Sequence, residues 1–133
     1  MQFQKQRSFG PRIRLTERQE QAIIRHVNAA WLTCYIETCS TGSVYIAIGL
    51  PEWKQNIRGE WYNTLDCGCG DDVAKIRLSG HVEGRRQDST HNVVGSKSEC
   101  MATLARWLGE IIAEHGQHGR AILAAVPAGK LAE

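Results

Sequence analysis

Two periodicities divide the chain. In residues 16–35 the apolar side chains Ile23, Val27, Ala30, Trp31 and Cys34 recur at helical spacing and form one stripe. Thr16 precedes the stripe with Gln19 three residues on, the pair a capping box needs, and Glu17 suits the positive end of the helix dipole. This predicts a first helix running to about Tyr35 or slightly beyond, broken at Ser40, Thr41 and Gly42. A second capping pair, Ser96 and Glu99, opens a stripe of Met101, Leu104, Leu108, Ile111 and Ile112, which predicts a second helix ending near Gly116. The Ala-rich tail from Arg120 fits a short strand or a helix equally well.

Between the helices the period changes to two. Over residues 43–50, Val44, Ile46 and Ile48 alternate with Ser43, Tyr45 and Ala47, a strand stopped by Pro51. Over residues 74–81, Ala74, Ile76 and Leu78 share one parity, while Lys75, Arg77, Ser79 and His81 share the other. That is a half-buried strand with cations and hydrogen-bond donors on its outer face. A shorter strand is predicted over 60–65, a Gly-rich turn with Cys67 and Cys69 over 66–72, and a weaker strand over 90–94. The order of elements predicts an α+β domain, a small antiparallel sheet of three to five strands flanked by two amphipathic helices on one face. Residues 15–133 form this single domain, and residues 1–14, polar and broken by Gly and Pro, form a flexible basic arm.

Composition narrows the function classes. Of 133 residues, sixteen are Lys or Arg and fourteen Asp or Glu, a net +2 too balanced for bulk attraction to nucleic acid or membrane. Five cysteines at positions 34, 39, 67, 69 and 100, without framework spacing or a secretory leader, lead us to expect free thiols in a reducing cytoplasm. No apolar run reaches membrane-spanning length. Walker-type and dinucleotide glycine motifs do not occur, and the first helix is not followed by a recognition helix.

Three site chemistries are open to these residues. Cys67-Gly68-Cys69 with His81 or His91 suggests zinc, but structural zinc sites use two paired hooks and only one is present, which favours a turn with free thiols and no metal. Cys100 lies at a helix start, where the dipole lowers a thiol pKa, yet it falls one position from the apolar stripe's Met101 and has no local catalytic partner, so no catalytic residue is assigned. The third chemistry is anion binding. Arg77, Arg85 and Arg86 supply forks suited to phosphate, His81 and His91 add imidazoles, Asn92 can read a purine edge, and Tyr45 offers a stacking surface. The alternative is that Arg85 and Arg86 are solvated loop charges and Tyr45 packs under a helix. Trp107, just off the second stripe, is a candidate oligomer contact.

The motifs Ser43-Val44-Tyr45-Ile46 and Lys75-Ile76-Arg77-Leu78-Ser79-Gly80-His81, set between two helices, resemble small phage anti-defence proteins, most of all the anti-Thoeris sponges for cyclic ADP-ribose isomers. The likeness spans roughly residues 16–112 in outline, with departures at Gly80 and Val82. It implies a homo-oligomer with pockets between protomers, no cofactor, and Arg77, His91, Asn92 and Arg106 as ligand contacts. The expected function is therefore non-catalytic capture of a nucleotide-derived immune signal, a cyclic ADP-ribose isomer or cyclic oligonucleotide, in the bacterial host cytoplasm. The alternatives are a protein-directed inhibitor of a host defence protein, of anti-CRISPR type, and a small hydrolase or nuclease acting through His81 or His91.

Overall fold

The computed structural model describes residues 12–65, 67–80 and 91–124. The elements run α1 (Glu17–Ala29), β1 (Thr33–Thr38), β2 (Val44–Leu50), β3 (Trp53–Gln55), β4 (Trp61–Asn63), β5 (Asp71–Ser79), β6 (His91–Val94) and α2 (Lys97–Ala124). The α+β class and the small sheet are as the sequence predicts. The basic arm lies outside the described residues except for its last three, and so does the tail beyond Ala124.

Both helix starts form as their sequences dictate. Gln19 N–H donates to Thr16 Oγ1 at 3.0 Å while Thr16 N–H donates to Gln19 Oε1 at 2.9 Å. At α2, Glu99 N–H donates to Ser96 Oγ at 3.1 Å and Ser96 N–H to Glu99 Oε1 at 2.8 Å. The end of α1 differs from expectation. Trp31 N–H donates to Asn28 O and Leu32 N–H to Val27 O, the bond pair of a Schellman stop, with Trp31 at φ 65° in the left-handed position that glycine usually fills. Leu32 and Val27, both fully buried, supply the accompanying apolar contact. The stretch from Thr33 to about Tyr35, expected as the last turn of that helix, therefore opens strand β1, and the predicted break at 40–42 is the β1–β2 turn, where Gly42 has φ 95°.

The main sheet has the order β1-β2-β5-β6, and β3 pairs with β4 in a separate two-stranded sheet. β1 and β5 both pair antiparallel with β2, but β6 runs parallel to β5. The wholly antiparallel sheet is thus corrected to a mixed one, the parallel pair being joined through residues 80–90. The hairpin is set apart because Pro51 ends β2. Its base is clamped by Glu52 N–H on Thr64 Oγ1 at 2.8 Å and Thr64 N–H on Glu52 O at 2.9 Å. A register shift between Ile48 and Gly49 accommodates one extra residue of β5, and a Cβ at Gly49 would lie 2.6 Å from Asp71 O.

One core joins Ile23 and Val27 of α1, one parity of the sheet (Cys34, Val44, Ile46, Ile48, Ala74, Ile76, Leu78), and Cys100, Leu104, Leu108 and Ile111 of α2. Both helices therefore cover the same face. α2 continues past Gly116 because Gly116 and Gly119 serve close packing against the end of α1 and do not end the helix. A Cβ on Gly119 would lie 2.0 Å from Trp31 O, so only glycine lets α2 pass over the end of α1. None of the described helices is long and apolar enough to cross a membrane.

Candidate functional site

The site is built by strand register. Directly paired residues on neighbouring strands project to the same face, so the pairings Glu37–Tyr45, Tyr45–Arg77 and Arg77–Asn92 set four side chains in one row across the sheet. A second row beside it holds Tyr35, Ala47 and Lys75. No described helix packs on this face. Strands lie about 4.8 Å apart, so Tyr45 to Asn92 spans about 10 Å, the scale of a nucleotide.

The rows differ in access. Arg77 is only 3% exposed, and its Nη2 donates to Ser79 Oγ at 3.3 Å. Tyr45 is half-buried and Asn92 exposed, while Tyr35 stands out at 51% exposure. A hollow of about 210 Å³ lies here, lined by Tyr35, Glu37, Tyr45, Asp72 and Lys75 among others. Lys75 Nζ is 3.8 Å from Asp72 Oδ2 across partly exposed surface, a pair weak enough to be exchanged for a ligand anion. The lining combines aromatic faces, a lysine and carboxylates that can accept from sugar hydroxyls, while Arg77 and Asn92 continue the row beside the hollow without lining it.

The predicted residues do not all meet there. Tyr45, Arg77 and Asn92 share the row. His91 is one residue from Asn92 and therefore on the opposite face, paired with Ile76 and edge-on to Trp107 at a centroid distance of 4.8 Å. Its imidazole belongs to the helix side, and Trp107 packs inside the protomer against it. Arg106 is exposed on α2, two residues from buried Leu104 and so turned away from the sheet. His81, Arg85 and Arg86 lie outside the described residues. Tyr35, Glu37 and Lys75 are the residues that sequence reasoning missed as site members. Tyr35 and Glu37 were hidden by extending α1 through them; Lys75 was visible on the parity of Arg77.

The thiols divide by environment. Burial pushes Cys34 up to about 12 and also raises Cys100, so both are poor nucleophiles in the folded chain. Cys67 and Cys69 are exposed. Among the described residues, no three His, Cys, Asp or Glu side chains converge as a metal cluster. A larger, mostly apolar groove of about 710 Å³ runs between the end of α1 and the far half of α2, lined by Trp31, Ile112, Gly116 and Arg120 among others. No family model, no curated protein and no solved structure matches the chain.

Proposed function

We propose that this chain is a phage-type anti-defence protein that captures a nucleotide-derived immune signal on the open face of its sheet without turning it over. The single observation that carries the reading is the row Tyr45–Arg77–Asn92, an aromatic ring, a guanidinium and an amide set side by side. Tyr45, with Tyr35 beside it, stacks the base, and Asn92 reads its edge. Lys75 and Arg77 supply positive potential for phosphate, and Glu37 accepts from ribose hydroxyls. A hollow of about 210 Å³ falls below the roughly 300–1,000 Å³ of enclosing ligand sites. The missing wall comes, in this reading, from a second protomer, so the binding form is a homo-oligomer. The ligand is a cyclic ADP-ribose isomer or a cyclic oligonucleotide.

The test is to mix purified protein with these nucleotides, remove the protein by filtration, and heat the retained fraction. Depletion of one nucleotide from the filtrate and its chemically intact return on heating are expected. No depletion of any, or return of an altered molecule, would contradict capture without turnover.

A protein-directed inhibitor of a host defence complex is the second reading, and Ile57 is the observation that favours it. This side chain is fully exposed at the tip of the β3–β4 hairpin. Asn56 holds the tip through Oδ1, which accepts from Arg58 N–H and Glu60 N–H at 2.9 Å. A rigidly presented aliphatic group is a fitting anchor for a protein pocket. Recovery of a defence protein that is lost in Ile57→Asp, with no nucleotide captured, would select this reading.

A further inference from the structure

Cys67 and Cys69 sit on a turn that has no evident part in nucleotide capture. Both side chains are exposed, and they flank Gly68 at φ 70°. The turn is held from below: a Cβ on Gly68 would lie 2.5 Å from Cys34 O, so the backbone rests directly on strand β1. Gly68 N–H donates to Thr64 O at 3.0 Å, and Lys54 Nζ donates to Cys69 O at 2.9 Å. Each thiol makes only a weak bond to nearby backbone, Cys67 Sγ to Thr64 O at 3.6 Å and Cys69 Sγ to Cys67 O at 3.4 Å. The bond of Cys69 Sγ to Cys67 O brings the second thiol back over the first residue of the pair. Two soft donors are therefore presented together, to solvent, by a backbone fixed at both ends.

Ligand number and softness decide which ion such a pair takes. Zinc wants four donors in a tetrahedron, and no third His, Cys, Asp or Glu joins these two among the described residues. Calcium and magnesium want oxygen. Thiolate pairs select soft cations, and copper(I) is the soft cation that two sulfurs alone satisfy. We infer that Cys67 and Cys69 form a two-thiolate site for copper(I). On binding, each thiol loses its proton to solvent and each sulfur forms one bond to the ion, so two protons leave per copper and no electron is transferred. The resulting bis-thiolate centre carries one net negative charge. Lys54, anchored on the Cys69 carbonyl, places its ammonium beside that charge.

The site is tested by anaerobic titration of the reduced full chain against the copper(I)–bicinchoninate complex. Withdrawal of one copper(I) per chain is expected, with affinity at least a hundredfold weaker in Cys67→Ser and in Cys69→Ser. Cys39→Ser, away from the turn, should bind as the parent does. Circular dichroism of each variant checks that the fold survives. A parent chain that withdraws no copper(I), a folded Cys67→Ser/Cys69→Ser double variant that retains it, or zinc held in competition as tightly as copper(I) would each overturn the assignment.

Discussion

The two faces of the four-stranded sheet share one backbone and carry opposite chemistry. On the helix side, Ile46, Ile48, Ile76 and Leu78 are fully buried under α1 and α2. On the other side the same strands present Glu37, Tyr45, Lys75, Arg77 and Asn92. Neighbours in sequence part company here: His91 goes to the helix side and edges Trp107, while Asn92 goes to the open side beside Arg77. What can cooperate in binding is set by strand parity and register, so residues 45, 77 and 92 form a unit that 91 and 92 cannot.

Substitutions on the two faces should separate stability from binding. The largest effect is expected from Ile76→Ala or Leu104→Ala, which remove fully buried core atoms and should cost about 2–5 kcal/mol in urea unfolding. Asn92→Ala, on the exposed row, should stay within about 0.5 kcal/mol. An equal cost for the two classes would erase the distinction between the faces.

Next come the glycines of α2. Gly119→Ala forces a Cβ against Trp31 O and should lose about 1–3 kcal/mol. Gly109→Ala meets nothing within 4 Å and should gain about 0.5–1 kcal/mol from helix propensity. Thermal midpoints moving in the same direction for both would contradict the close passage of α2 over α1.

Tyr45→Ala and Asn92→Ala should each weaken nucleotide capture about tenfold, or about 1.4 kcal/mol. His91→Ala should leave capture unchanged and instead lower stability by about 0.5–1.5 kcal/mol, through loss of its ring contact with Trp107. Isothermal titration beside urea unfolding distinguishes these outcomes, and a His91 variant that binds poorly while folding normally would break the assignment of faces. At the helix starts, Thr16→Ala and Ser96→Ala should each cost about 1 kcal/mol; a chain indifferent to both would show that the caps are not contributing.

Local signals were legible and non-local ones were not. Both capping boxes, the β2 and β5 alternations and the core parity are properties of a few adjacent residues, and they folded as their spacing dictates. The end of α1 is not legible because Trp31 occupies a left-handed position that glycine usually fills, and Gly116 resembles a stop although α2 passes through it. The parallel pairing of β6 depends on a crossover between distant strands, which no window of sequence encodes. For the candidate site, Arg77 and Tyr45 could be placed from alternation alone. The parity of the four-residue strand β6 cannot, so sequence alone does not separate His91 from the row that it faces away from.

The central claim, that the nucleotide lies on the open sheet face, is tested most directly by mapping amide and side-chain NMR shifts on titration with the nucleotide that the chain depletes from solution. The account predicts perturbations centred on Tyr35, Tyr45, Lys75, the Arg77 guanidinium and Asn92, with His91 and Trp107 little changed. Perturbations centred on Trp31, Ile112 and Arg120 in the α1–α2 groove would contradict it.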